Sequence, residues 1–504
     1  MNSFLQPFAT VLKSLHTNGF QWFNQTLNQT IRSRVIAPIA CLDAPAKASV
    51  QIVMQYNGEN SCGSCEAKGE SSEVGGGTNW VFPVDVDNSV LRSAERMQKQ
   101  TEIVERYENL KHFKGVKGKS IVTNIPFFDR SIDFPPDYMH SVLLGVMLMF
   151  LTLWCNSSSH NEDYYLRKEQ RDGIDAILES IAPPEDITRT PRKLNQLCDW
   201  KASELRAFIL YYGPIVLKNR LNDAHYQHFL LLSRGIQILC SEEIDSTELD
   251  FADTLLNIFV IDVERLYEVN KCSYNVHQLK HLALFVKLWG PLWVWSAFSS
   301  EDQNGELIKM IHGSNKIDVE LSNTIKIFQA YRSIKYLINP ARHLKDTQCR
   351  AHGAPTYHTV PDSDLRVICT ALHFTIDEFQ ESGFLIFKRC KIREDIFTSE
   401  LYTRQVKRTN FHVQWKANQK EYFGIIKYFL KLQGNLYAVL RELIISQDSN
   451  QEIKNKELNF NFNHHIKHVR DSYCVHVVPI NGIISKVLRV ENYICTFINN
   501  VEKK

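Results

Sequence analysis

CGSCEAKGE (62–70) and NVHQLKHLALFV (275–286) are the two stretches on which the fold turns. Cys62 and Cys65 stand at the C-x-x-C spacing in a Gly-rich turn, where two thiolates can share one tetrahedral Zn²⁺ but need two further ligands. His277 and His281, four positions apart, fall on one face of a helix. Each pair has a plain reading of its own: thiols in a turn, and two histidines on a half-buried helix. Together they complete a Cys₂His₂ set, although more than 200 positions of chain separate them.

Outward from these stretches, length and composition set the bounds. A chain of 504 residues, 44% hydrophobic, has room for roughly two to four domains with real cores. The formal charge of +2 excludes a strongly basic nucleic-acid binder and an acidic tail, so contact with DNA requires a local basic face. The first 42 residues contain no Asp or Glu and carry Lys13, Arg32 and Arg34. Twelve cysteines, scattered mostly singly, point to a reducing compartment, nuclear or cytoplasmic, and not to a secreted disulfide scaffold. The N-terminal MNSFLQPFATVLKSLHTNGF shows no signal peptide. VLLGVMLMFLTLWC (142–155) is short of the roughly 20 residues a membrane span needs, so a buried helix is expected.

Periodicity predicts the organisation. Residues 33–43 read as a strand leading into a helix that begins near Pro45, and TNWVFPVDV as strand or extended chain. Residues 88–113 have a helical, charged pattern. From His140 to about Trp289 the apolar spacing is helical almost throughout. Residues 341–366 read as a linker. Beyond it, YFGIIKYFLKLQGNLYAVLREL and YCVHVVPINGIISKVLRVENYICTFI alternate as strands do, with Gly and Asn breaks. GVKGKS (115–120) is not a phosphate loop, because the position that must be Gly is Phe113.

Three carboxylates carry two readings each. Asp43, in IACLDAPAKASVQ, can cap a helix with Pro45 in its first turn, or hold a metal. Asp137 follows two prolines and can cap the apolar helix, with His140 three residues on and within reach of its carboxylate. Glu301, in FSSEDQNGEL, sits early in a helix that Ser299 or Ser300 can cap, where the dipole favours an acid.

At CLDAPAKASV, CGSCEAKGE, DYMHSVLLGV, WKASELRAFILYY, NVHQLKHL and FSSEDQNGELIKMIHG the chain resembles the catalytic region of CACTA-type DNA transposases, from about residue 3 to 314. More distantly it is similar to the catalytic subunit of the V(D)J recombinase. The resemblance implies an α+β chain. An incomplete RNase H-like core (1–136) is interrupted by a helical insertion (137–290), and return helices carrying Glu301 follow (291–340). After the linker comes a small, mostly-β or α/β barrel-like domain (367–504). In that family two Asp and one Glu hold two divalent metals, Mg²⁺ or Mn²⁺, which activate water and stabilise the leaving oxygen during DNA cleavage and strand transfer. Asp43 matches the second Asp and Glu301 the Glu; Cys62, Cys65, His277 and His281 match the family's zinc ligands. Asp43 lies 19 positions before Cys62, and Glu301 lies 20 after His281, so a zinc clamp would draw both acids together. The implied partner is DNA at the element's terminal repeats, contacted by Arg32, Arg34, Arg404, Lys407 and Arg408; a homo-oligomer is allowed and a membrane is not.

The chain departs from the family pattern at the first acid. No acidic residue precedes Asp43, so the first Asp of the triad is absent from this sequence and two-metal catalysis should fail. The expectation is a transposase-derived protein, inactive as it stands. The alternative is a domesticated, non-catalytic DNA-binding or scaffold protein. A zinc peptidase is disfavoured, because Gln278 stands where its general base would be and the two cysteines would have no role.

Overall fold

The computed structural model describes residues 1–74, 77–83, 90–338, 349–404 and 407–499. The chain is mixed helix and sheet, with a large helical region and a C-terminal sheet. It divides into two compact units. The first comprises Met1–Leu166, Asp199–Leu210 and Leu221–Ser300; the second comprises Arg167–Cys198, Tyr211–Arg220 and Glu301–Lys504.

In the first unit, aromatic burial builds the helical core. The apolar helix Met139–Cys155 buries Val142, Leu143, Val146, Met147, Phe150, Leu151 and Trp154, as a core helix should. No single helix among the described residues is long and apolar enough to cross a membrane. Phe150 meets the rings of Phe259 and Tyr267 at 5.5 and 4.7 Å. Two long helices, Asp223–Leu239 and Ser246–Tyr267, close this core, and each starts at a side-chain cap: Asn222 accepts from Ala224 N and Asp245 from Glu248 N. They approach closely because Gly235 has no side chain; a Cβ there would lie 2.9 Å from Leu256 Cδ2.

The N-terminal segment departs from expectation in one place. The strand expected over 33–43 does not form. The ladder ends at Ser33, in the hairpin of Phe20–Asn24 with Gln29–Ser33. Pro38 lacks an N–H, and the few bonds around it go elsewhere: Val35 N to Leu15 O and Ala40 N to Asp133 O. A second hairpin pairs Glu70–Val74 with Gly77–Val81, which bears out the extended reading of TNWV. These two hairpins do not by themselves make an RNase H-like sheet. The charged helix is present as Ala94–Arg106.

The second unit carries an antiparallel sheet of eight strands, as the alternation at 422–443 and 473–498 suggests. Lys420–Leu432 pairs on one side with Asn435–Ile445 and on the other with His412–Ala417. Both connections are two-residue turns with positive φ at each position, Asn418-Gln419 and Gln433-Gly434, the geometry that matches strand twist. The linker reading of 341–366 needs correcting at its ends. Arg350–Ala351 pairs in a three-stranded sheet, and a helix starts at Asp362; residues 339–348 lie outside the described part.

Burial in the first unit pushes the His228 imidazole down from 6.5 to about 3, against a weaker pull from its hydrogen bond to Phe259 O at 2.9 Å. Below pH 6.5 the unfolded chain takes up a proton that the folded chain refuses, so stability falls as the pH drops toward 3. Between pH 7 and 5 this residue's share is about 2 kcal/mol. His228→Gln should remove that share, read as a smaller shift of the urea midpoint between the two pH values.

Candidate metal centre

Local hydrogen bonding shapes the Cys62–Cys65 turn. Ser64 N and Ala67 N point at Cys62 Sγ and Cys65 Sγ, each at 3.4 Å, the kind of donation that stabilises thiolates. Arg92 fixes the turn from behind, with Nε on Cys62 O at 2.8 Å and Nη2 on the carbonyls of Asn60 and Lys114, both at 2.9 Å. Glu66, directly after Cys65, accepts from Arg96 Nε (3.1 Å), Lys114 Nζ (2.9 Å) and Gln100 Nε2 (2.7 Å). This ties the turn to the Ala94–Arg106 helix.

The histidines arrive on a short helix, Tyr274–Gln278, capped by Ser273 and continued by a tight turn to His281. Cys65 Sγ lies 3.2 Å from His277 Nε2, Cys62 Sγ lies 3.4 Å from His281 Nε2, and the two imidazole nitrogens are 3.3 Å apart. All four ligand atoms fall within 4.8 Å of one another and all four residues are buried. A tetrahedral Zn²⁺ with usual bond lengths places its nitrogens about 3.3 Å apart and nitrogen from sulfur about 3.6 Å. The donor set and spacing therefore fit a metal ion such as zinc.

Electrostatics agree. Burial alone would raise the Cys62 thiol, but a hydrogen bond from Cys65 and the charges of His281 and His277 pull it below its ordinary range. Cys65, bonded to that thiolate and buried, is pushed up. Burial lowers the His281 imidazole, and the neighbouring Cys62 opposes that fall. Gln278 Nε2, at 3.3 Å from Cys62 Sγ, adds a third donor to the sulfurs. In the sequence Gln278 stands out only as a missing base. Lys47 and Arg92 do not stand out at all, since nothing in their local sequence marks them.

A cavity of about 740 Å³ adjoins the centre. Amides of Asn57, Asn79, Asn270 and Asn275 line it, with the rings of Tyr56, Trp80 and Tyr274; Asp43 and His140 are also in its wall. Asp43 is the cap of the Ala44–Gln51 helix, accepting from Ala46 N at 2.8 Å. The structural reading of this residue is thus what its geometry displays, though its position in the wall leaves the carboxylate next to open space. Asp137 behaves as expected: its Oδ2 accepts from His140 N at 2.9 Å and pairs with His140 Nδ1 at 2.6 Å. Its Oδ1 accepts from Ala297 N, which ties the start of the apolar helix to the return segment. That start, Met139–Met147, is π-helical, a distortion common at functional sites.

The remaining predicted residues stand elsewhere. Glu301 is exposed in the first turn of Phe298–Lys309, and it belongs to the second unit while Asp43 belongs to the first. Ser299 and Ser300 do not cap that helix, because it begins at Phe298, whose N–H bonds Ser296 Oγ at 3.2 Å. Arg408 is committed to the carbonyls of Pro184, Ile187 and Thr188 inside the second unit. Arg32 bonds Asn18 O. Arg34, Arg404 and Lys407 are exposed.

Burial alone would raise the Glu66 carboxyl, but its bonds to Arg96, Lys114 and Gln100 outweigh this and hold it at about 2. That contribution to stability is complete above pH 4.5 and is lost as the pH falls toward 2. Glu66→Gln should cost about 1–3 kcal/mol at pH 7. The gap to the parent protein should close in acid, as followed by chemical denaturation at several pH values.

Compared with protein-family models, with curated proteins and with solved structures, the chain finds no match in any of the three.

Proposed function

We propose that this is a transposase-derived DNA-binding protein of the CACTA type, held by a structural zinc ion and unable by itself to cut DNA. The observation that carries the reading is the meeting of CxxC and HxxxH across 212 and 219 positions of chain, in the arrangement the resemblance implies. Bound zinc would supply a tetrahedral cross-link between Cys62, Cys65, His277 and His281, and no chemistry on a substrate. The RNase H-like core belongs to the same reading and rests on the sequence resemblance.

The cavity supports contact with nucleic acid. Amide side chains can pair with base edges, and exposed rings such as Tyr56 offer a stacking face for an unpaired base. Of the five basic residues implied by the resemblance, Arg34, Arg404 and Lys407 are exposed and available to phosphates. Among the described residues, the group of metal-ligating side chains is the Cys/His set.

Zinc analysis of the purified chain should give one ion per molecule. Cys62→Ser and His281→Ala should each abolish it and lower the thermal midpoint by well over 5 °C, since structural sites of this kind contribute roughly 10 kcal/mol or more. A terminal-repeat duplex incubated with Mn²⁺ should stay unnicked, and gel-shift binding should weaken steeply from 50 to 200 mM salt. Nicking that disappears in both Asp43→Ala and Glu301→Ala would overturn the inert reading.

A further inference from the structure

We propose that occupancy of the Cys62–Cys65–His277–His281 centre sets the shape of the polar cavity beside it, so that metal loading and ligand access are one linked equilibrium. This rests on the metal reading above and adds a form of regulation to it.

Four segments of the cavity wall are attached to the centre, and His140 comes from the apolar helix. Ser273, Tyr274 and Asn275 immediately precede His277, at the start of the same five-residue helix. A helix that short has almost no stability of its own, so its position depends on what His277 and His281 hold. Thr78, Asn79 and Trp80 lie on the strand that runs into Phe82. The Phe82 ring stacks on His277 at 5.0 Å, and its N–H bonds Cys272 O at 2.7 Å. Asp43 and Pro45 open the Ala44–Gln51 helix, and the other end of that helix rests on the cysteine turn. A Cβ on Gly63 would come 2.4 Å from Gln51 Oε1 and 2.9 Å from Lys47 Cε. Tyr56 and Asn57 lead into the turn, with Tyr56 O accepting from Ser61 Oγ.

The rest of the first unit has a core of its own, against which the histidine-bearing segment packs through Met139–Met147 and Ser246–Tyr267. The core of Met139–Cys155, Asp223–Leu239 and Ser246–Tyr267 is closed by aromatic and aliphatic burial and contains none of the four ligands. Loss of the metal should therefore open the cavity walls locally and leave the core folded. Linkage requires the converse: disturbing a wall must weaken metal binding by the same factor. Gly145 provides the handle. It lies in the π-helical stretch, away from the ligands in sequence, and a Cβ there would meet Asn275 Nδ2 at 2.5 Å.

Amide hydrogen exchange of the full chain, zinc-loaded and then chelator-treated, tests the first half. Peptides covering 43–57, 77–82 and 273–281 should exchange about tenfold faster or more after chelation, while 223–267 stays within about twofold. Zinc affinity of Gly145→Ala, by competition with a chromophoric chelator, tests the second; a three- to tenfold loss is expected. Unchanged wall exchange, or exchange of the whole unit at once, overturns the inference. So does a Gly145→Ala protein that is folded by circular dichroism and binds zinc as the parent does. A parent chain that takes up no zinc overturns the metal reading itself, which is a different failure.

Discussion

Two cysteines and two histidines more than 200 residues apart converge within hydrogen-bonding distance of one another, and the segments that carry them are held at that convergence. Closing a flexible loop of this length costs about 5 kcal/mol of chain entropy. Four polar side chains buried together would not offset it, since burying such groups is itself unfavourable. A shared metal ion changes the sign, because a structural site of two thiolates and two imidazoles supplies roughly 10 kcal/mol or more. The long helical segment between the two ligand pairs can then be large without loosening the unit, since loop entropy grows only with the logarithm of length.

The neighbourhood of the centre follows from the charge it carries. Two sulfurs that would both be thiolates around a metal need donors in a dry interior, and they have them in Ser64 N, Ala67 N and Gln278 Nε2. The buried guanidinium of Arg92 directs its N–H groups to carbonyls of the surrounding turns and so fixes the backbone from which the cysteines project. Lys47 is buried beside them with its chain against Gly63, over the Phe285 ring. Burial lowers its ammonium to about 8, and the nearby cysteines oppose that fall.

What could be read from sequence was what is discrete. CxxC and HxxxH have ligand chemistry that survives any fold, and the buried 142–155 helix follows from unbroken apolar spacing. The C-terminal strands follow from alternation between turn residues that tolerate positive φ. What could not be read depends on partners distant in sequence. The apolar run at 33–43 looks like a strand until one asks where its N–H groups go, and no neighbouring strand receives them beyond Ser33. The helix bearing Glu301 starts earlier than its serines suggest, because Ser296 supplies the acceptor. The π-helical turn at Met139–Met147 has no periodicity of its own, and Asn275 lies where a Cβ on Gly145 would be.

Asp43 shows why a single carboxylate is a poor guide to chemistry. One of its oxygens accepts from Ala46 N, as any helix cap does, and that role is complete without a metal or a substrate. The same residue lines a polar cavity, and the helix it starts ends against the cysteine turn. A cap at this point fixes where the helix begins, and hence how its far end meets Gly63. The residue's presence is compatible with catalysis and does not argue for it. The question turns instead on whether further carboxylates gather around it, and among the described residues the gathering of ligands is at the cysteines and histidines.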